Sequence, residues 1–202
     1  MLTLGKDNDD VERRLKKYRL RCPGCGGRLA PWGHGRERSI WGPLPRRWRL
    51  RPRWARCQRC GTTHMLLPVN MLWRRRDDVA VIGDALVRAA CGQGFHTIAR
   101  DSGRSPAMVR GWLRRMRQRA PGIRVAFTRL LVELDPDPPP LVAAASVMAD
   151  AVNAVLAVGA AAGRRFPALA GLPPWELACA VTAGCCWPRR PPGCRATRTG
   201  LW

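Results

Sequence analysis

Acidic residues and lysines are both scarce in this 202-residue chain. It contains 14 Asp and Glu against 36 Lys and Arg, and only three of those 36 are lysines. The few carboxylates are scattered, which argues against the acidic cluster of a two-metal nuclease. The net charge of +22 comes from arginine, whose planar fork of donors matches phosphates and guanine edges, and it favours nucleic acid as a partner. GC-rich codon usage produces the same composition, so charge alone leaves the partner open.

A secretory signal is also missing, because charged residues interrupt the first 20 positions and leave no apolar core. The chain is too short for a large catalytic barrel. Nine cysteines in a chain without an export signal favour reduced thiols or metal ligands over disulfides. We therefore expect a cytoplasmic, nucleoid-associated protein that is not an enzyme.

Four of the cysteines form two pairs with one local pattern, Cys22-Pro-Gly-Cys25-Gly and Cys57-Gln-Arg-Cys60-Gly. Two thiolates separated by two residues converge on one cation when the backbone turns sharply, and the glycine that follows permits such a turn. The 31 residues between the pairs suit the strands of a zinc ribbon. Four thiolates fill a tetrahedral shell, so we predict one structural Zn(II). A reduced core cluster and an iron–sulfur site are the alternatives.

The other metal-ligating side chains are expected to stay outside this site. His34 and His64 are predicted bystanders, because four cysteines already complete the shell. Cys91 is predicted to lie on a helix and to be buried in the protein core. The remaining cysteines lack the paired spacing and are expected to be free thiols: Cys179, Cys185, Cys186 and Cys194.

Hydrophobic periodicity and turn residues predict an α+β protein. It begins with a small β zinc ribbon, which is followed by a mainly α helix-turn-helix domain and a C-terminal alanine-rich helix. Within the ribbon, the alternation of charge and bulk from Arg47 to Trp54 predicts one strand, with Pro52 at an edge or bulge. The predicted segments are a basic N-terminal helix (1–20), the zinc ribbon (21–70), the helix-turn-helix domain (74–120), a connector (121–140), the alanine-rich helix (141–165) and a disordered basic tail (166–202).

The segment from Phe95 to Leu113 carries the spacing of two helices joined by a tight turn. Ala99 supplies a small side chain where the helices touch, and Gly103 supplies the positive φ of the turn. Ser105 and Pro106 are typical of the start of the next helix. Further apolar contacts are expected from Ile98, Val109, Trp112 and Leu113.

The second of these helices, predicted from Ser105 to Arg119, is rich in arginine and contains no acid. Residues near its start are placed to reach base edges, and Arg110 is the best guanine contact. Other arginines, including Arg119, are expected on phosphates. A solvated arginine face on a three-helix bundle, or a protein-binding module, is the alternative. The predicted DNA-contacting residues are Arg104, Ser105, Ala107, Arg110, Gly111, Arg114, Arg115 and Arg117.

Together, the first cysteine pair, the arginine-rich strand, the second pair and the helix pair ending in VRGWLRR resemble a known arrangement. Residues 20–135 are similar to the N-terminal DNA-binding region of bacterial insertion-sequence transposases, and closer to an uncharacterised bacterial family of helix-turn-helix domain-containing proteins. The resemblance implies recognition of element ends or operators. It does not extend to strand transfer, because the catalytic domain with three acidic residues has no counterpart here.

Residues 141–163 contain 18 apolar residues, mostly alanine, interrupted by Ser146, Asp150 and Asn153. A soluble packing or dimerisation helix is therefore favoured over a membrane span. The expected function is sequence-preferring binding of double-stranded DNA, with a homodimer through 141–163 and a transposase or integrase acting in trans as further partners. The alternatives are a transcription regulator and an RNA- or ribosome-associated zinc ribbon. In the latter, Trp32, Trp41, Trp48 and Trp54 would stack on bases, although ribbon tryptophans more often form a core.

Overall fold

The computed structural model describes residues 2–5, 8–72 and 74–182. The fold class is α+β, as predicted. The described residues form two compact units. Unit 1 consists of those in 1–41, 47–77 and 179–182, and unit 2 consists of 42–46 and 78–178.

Unit 1 is built on a four-stranded sheet in the order β1-β6-β5-β2. The β1 strand runs parallel to β6, whereas the β6–β5 and β5–β2 pairs are antiparallel. A second, two-stranded sheet pairs β3 with β4 in antiparallel register. The elements of unit 1 are β1 (Leu2–Leu4), α1 (Asn8–Lys16), β2 (Leu29–His34), β3 (Arg38–Trp41), β4 (Arg47–Leu50), β5 (Arg53–Cys57) and β6 (Thr63–Pro68).

The predicted single strand from Arg47 to Trp54 is wrong, because this run contributes β4 to the small sheet and β5 to the large one. The break falls at Pro52, which has no N–H to continue a strand ladder. Pro52 is buried, and its carbonyl accepts a hydrogen bond from Gly35 N at 2.7 Å. The proline therefore marks a change of sheet instead of an edge position.

The N-terminal helix α1 is part of the core of unit 1. Val11 and Leu15 on one face of α1 are buried with Leu29, Ala55 and Leu66 of the large sheet. Arg53 Nε also forms an ion pair with Glu12 of α1 at 2.7 Å. The separate basic helix predicted for residues 1–20 is thus a strand and a helix packed on the ribbon.

Unit 2 contains α2 to α5 and most of α6, and side chains cap two of its helix starts, including the one predicted at Ser105. Asp78 accepts a hydrogen bond from Ala80 N at 2.7 Å and caps α2. Ser105 accepts one from Met108 N at 3.3 Å and caps α4, which has Pro106 at its first position. The bounds are α2 (Val79–Ala90), α3 (Phe95–Ser102), α4 (Pro106–Leu134), α5 (Val147–Arg165) and α6 (Pro174–Val181), with a 3-10 turn at Pro167–Leu169.

Helix α4 extends far beyond the predicted end at Arg119 and occupies most of the predicted connector 121–140. Pro121 lies within the helix and removes one backbone donor. The buried stripe nevertheless continues through Phe127, Leu131 and Leu134, because α4 packs against α5. Tertiary burial therefore outweighs the local cost of the proline.

Among the described helices, only α5 is long and apolar enough to cross a membrane by length and composition. Half of its most apolar stretch is buried inside the protein. One such helix is weak evidence for a membrane span. The buried face repeats at helical spacing through Met148, Ala151, Val152, Val155 and Val158.

The predicted disorder of the tail is wrong for residues 166–182, which form the 3-10 turn and α6. Trp175 packs where Gly83 of α2 leaves space, and Pro174 packs in the same way against Gly159 of α5. Because glycine has no side chain, Gly83 and Gly159 let this short helix pack closely against α2 and α5. The rest of the predicted tail, 183–202, lies outside the described residues.

Substitution Gly83→Ala tests this docking. An added Cβ would clash with the indole ring of Trp175, and such overpacking costs about 1–3 kcal/mol, against the ~1 kcal/mol that alanine gains over glycine in a helix. We expect a lower urea midpoint for unit 2. In α4, Gly122→Ala meets nothing within 4 Å and should raise the midpoint. Equal shifts in both variants would contradict the packing.

Candidate metal centre and basic helix face

Two nearly identical turns bring the cysteine pairs together. Gly26 and Gly61, the residues after the second cysteine of each pair, both have φ of +70°. Gly26 N donates to Cys22 O at 2.9 Å, and Gly61 N donates to Cys57 O at 3.0 Å. This backbone conformation favours glycine, so the sequence signal had a direct structural cause.

The four predicted ligands converge on one point. All four sulfur atoms lie within 4.8 Å of one another. The Cys22–Cys60 and Cys25–Cys57 sulfur pairs are 3.8 Å and 3.5 Å apart. A regular tetrahedron of sulfurs with 2.3 Å bonds to a central ion has edges of about 3.8 Å. The residues present therefore fit one tetrahedral metal ion, and the arrangement fits a zinc ribbon.

Backbone and hydroxyl donors favour the thiolate form on the second turn. The hydroxyl of Thr62, 3.4 Å from Cys60 Sγ, and the Thr62 backbone N–H lower the pKa of Cys60 to about 6. The N–H of Cys60 lowers the pKa of Cys57 against the effect of burial, and the N–H of Arg59 lowers it further. These contacts prepare both sulfurs to bind a cation.

Cys25 differs from the second turn. The N–H of Gly27 lowers its pKa, but hydrogen bonds with the neighbouring thiols and burial raise it to about 12. A cation that binds four sulfurs displaces such retained protons, so metal binding is coupled to proton release.

The two histidines have different surroundings. Nε2 of His64 lies 3.3 Å from Cys22 Sγ, and His64 is buried. Burial lowers the pKa of His64 and favours the neutral ring. His64 is not a member of the four-sulfur cluster, as predicted, but it contacts one of the four sulfurs. His34 is exposed and its Nδ1 lies 3.4 Å from Arg53, away from the sulfur cluster, as expected.

Substitution Gly27→Ala should weaken metal binding without removing a thiol. The new Cβ would lie 2.9 Å from Cys57 Sγ and 3.3 Å from Cys25 Sγ. Disturbing the surroundings of a ligand typically costs about 10–100-fold in metal affinity. The matched control is Gly24→Ala, whose Cβ meets only Cys22 Sγ at 3.9 Å. Competition with a chromophoric chelator measures both, and unchanged affinity in Gly27→Ala would contradict the expectation.

The helices and the turn predicted around Gly103 are present in unit 2. Gly103 has φ of +65° and ends α3. Ala99 is almost fully buried, and so is Val109 on α4. The other predicted contacts are also buried: Ile98, Trp112 and Leu113.

Three arginines form one exposed strip at the start of α4. Arg110, Arg114 and Arg117 are exposed, and at about 100° per residue they span an arc of about 60°. Among the described residues, no ion pair involves any of the three. Like charges at spacings of three and four residues destabilise a helix by about 0.2–0.5 kcal/mol per pair. We call Arg110, Arg114 and Arg117 the arginine strip.

Contacts within unit 2 orient one member of the strip. The guanidinium of Arg110 lies 5.8 Å from the ring centroid of Phe95 at the start of α3, within the range of a cation–π interaction. Ser105 and Ala107 are exposed beside it. Arg110 is therefore directed toward the N-terminal end of α4, where base contacts were predicted.

Arg104 is not available for a phosphate, contrary to the prediction. It is 8% exposed, and its guanidinium donates to the carbonyl of Gly42 at 2.9 Å and that of Ser102 at 3.0 Å. The five donors of arginine match such clustered carbonyls at a helix end. Arg104 therefore fixes the turn to the 42–46 segment of unit 2.

The surroundings of Gly111 also differ from the prediction. Arg115 is half-buried and donates to the Gly111 carbonyl at 2.9 Å, so it covers part of the surface of Gly111, which was predicted to contact DNA. Arg119 is half-buried too.

Two further sequence interpretations fail in the described part of the chain. Cys91 is exposed at the end of α2 instead of lying in the core. Trp32 and Trp41 are 57% and 39% exposed, so the expected tryptophan core of the ribbon does not form there. Cys179 is buried, and Cys185, Cys186 and Cys194 lie outside the described residues.

Comparisons with protein-family models, with curated proteins and with solved structures find nothing that matches this chain.

Proposed function

We propose that this protein binds double-stranded DNA through the arginine strip of α4 and that a structural Zn(II) holds unit 1. The chemistry of the donor set supports zinc, because a cluster of four thiolates with tetrahedral spacing suits this ion. Four protein ligands leave no open position for water or substrate, so the ion stabilises the fold and takes no part in a reaction.

One observation carries the DNA-binding proposal: the strip gathers three exposed guanidinium groups that no described carboxylate pairs. A phosphate backbone would relieve their mutual repulsion. The small Ala107 at the start of α4 lets the helix approach a groove, and Arg110 is placed for a guanine edge. This arrangement supports a helix-turn-helix interpretation of α3 and α4.

The resemblance to transposase DNA-binding regions belongs to this proposal. It favours an accessory protein of a mobile element that acts with a transposase or integrase in trans, with transcription regulation as the other role for the same surface. A homodimer through residues 141–163 would use the exposed part of that segment, since the buried face of α5 lies within unit 2. The large apolar side chains exposed there are Leu141, Val142 and Val147.

Selection from a pool of random duplexes tests the function. We expect enrichment of a preferred site, with affinity that falls steeply with salt because each neutralised phosphate adds about 0.9 to the log–log slope. Sites enriched from the host promoter would favour regulation, and sites from element ends would favour transposition. Failure to bind any duplex in dilute buffer would refute the proposal.

A further inference from the structure

Unit 1 contains a cleft of about 760 Å³ that belongs neither to the cysteine cluster nor to α4. This volume lies within the ~300–1,000 Å³ of typical ligand pockets. The cleft follows β3 and is bordered by residues of β4, β5, β6 and the 74–76 segment. Its lining consists of Gly35, Arg36, Glu37, Arg38, Ser39, Trp41, Arg47, Pro52, Trp54, Met65, Arg74 and Arg76.

The lining is strongly basic, with five arginines and one carboxylate. That carboxylate, Glu37, is already paired with Arg49 at 3.1 Å. Arg49 is not among the lining residues and its side chain is 80% exposed. The cleft therefore concentrates positive charge without an equivalent negative charge of its own, which favours an anion.

Arg38, one of the lining residues, has side-chain donors that no described acceptor satisfies. Its Nε and one terminal nitrogen, Nη2, are buried and have no hydrogen-bond partner among the residues that the structure describes. Burial and the charge of Arg76 both lower the pKa of Arg38. A buried donor without an acceptor costs about 1–3 kcal/mol, and more when it is charged. The negative charge of a phosphate in the cleft would offset the repulsion between Arg38 and Arg76.

Aromatic rings lie beside this charge. Trp41 is 39% exposed, and the guanidinium of Arg47 lies 4.4 Å from its ring centroid. Arg47 also donates to the Ser39 hydroxyl at 3.1 Å, which holds it in place. Trp54 lines the cleft and is half-buried. Such rings are the usual stacking platforms for unpaired bases.

We propose that the cleft binds one unpaired nucleotide of a single-stranded nucleic acid, with a phosphate near Arg38 and Arg76 and the base stacked against the Trp41–Arg47 pair. The ligand class follows from the combination of anion-binding and stacking groups, since a duplex buries its bases. This site is independent of the arginine strip, because it involves other residues on another unit.

Fluorescence anisotropy with a labelled short oligothymidylate tests the proposal on the full zinc-loaded chain. Trp41→Ala should weaken binding roughly ten-fold or more, the loss typical of a stacking residue, and Trp41→Tyr should restore most of it. Arg38→Gln should also weaken binding, because it removes a positive charge from the lining of the cleft. Duplex affinity should stay within about two-fold in all three.

The matched control is Arg19→Gln, which removes the same charge from an exposed site of unit 1 outside the cleft. It should leave oligothymidylate binding nearly unchanged. Equal losses in Arg19→Gln and Arg38→Gln would overturn the proposal in favour of general electrostatic attraction. Displacement of the oligonucleotide by inorganic phosphate with no effect of Trp41→Ala would reduce the cleft to an anion site and would also overturn it. Circular dichroism and zinc content confirm that each variant is folded.

Discussion

Replacing Cys57 by serine is expected to abolish metal binding and to unfold unit 1. Cys57 is buried, and its sulfur lies 3.5 Å from that of Cys25 in the centre of the cluster. Cys57 and Cys22 also belong to the same hydrophobic core as Leu29 of β2. Binding of zinc to a four-ligand structural site provides about 10 kcal/mol or more of folding free energy, which is comparable to the whole stability of a typical domain, about 5–15 kcal/mol. The near-ultraviolet spectrum and the zinc content of the purified chain measure this loss.

The matched control for this variant is Cys91→Ser, because Cys91 is an exposed thiol of unit 2. It should retain one zinc per chain and the wild-type spectrum. Since unit 2 has its own core, we expect Cys57→Ser to keep much of its helical signal. A chelator should reproduce the Cys57→Ser result in the wild type. A fully folded wild type with well under one metal per chain would contradict the structural role.

The second large effect is expected from the triple substitution of Arg110, Arg114 and Arg117 by glutamine. Arg110→Ala alone should cost about 1–3 kcal/mol on the preferred duplex and relax the preference at one base pair. Losing the phosphate contacts of the strip should lower the slope of log affinity against log salt by about 2 to 3. Titration of a labelled duplex at several salt concentrations measures both quantities.

An equal change in net charge elsewhere provides the control. Arg14, Arg19 and Arg129 are exposed and lie outside the strip, so their triple replacement by glutamine should leave the salt slope nearly unchanged. Similar losses in both triple variants would show that the duplex senses only the overall charge. Equal loss on every sequence in Arg110→Ala would make that residue a phosphate contact.

Features encoded within a few residues were predictable. The CxxCG turns need a positive φ directly after the second cysteine, and Gly26 and Gly61 supply it. The caps at Asp78 and Ser105 satisfy helix donors two or three residues away. The hydrogen bonds in these patterns join residues that are close in sequence, so the patterns can be identified without knowledge of tertiary contacts.

Side chains whose partners are distant in sequence were predicted poorly. Arg104 carries the same charge as Arg110, but it is buried and donates to the Gly42 carbonyl, 62 positions away. His64 has no recognisable ligand spacing, yet the pairing of β5 with β6 places it near Cys22. The 174–181 segment is apolar but without periodicity, and it forms a helix against glycines on α2 and α5.

The amino-acid sequence by itself determined the two CxxCG turns, the turn at Gly103, the starts of α2 and α4 and the basic character of the chain, because these depend on local geometry and composition. Only the tertiary structure decided which arginines remain exposed, how far α4 extends beyond Pro121 and that arginines and tryptophans share a cleft. Each of these depends on burial, and burial is set by residues far apart in the chain that the fold brings into contact.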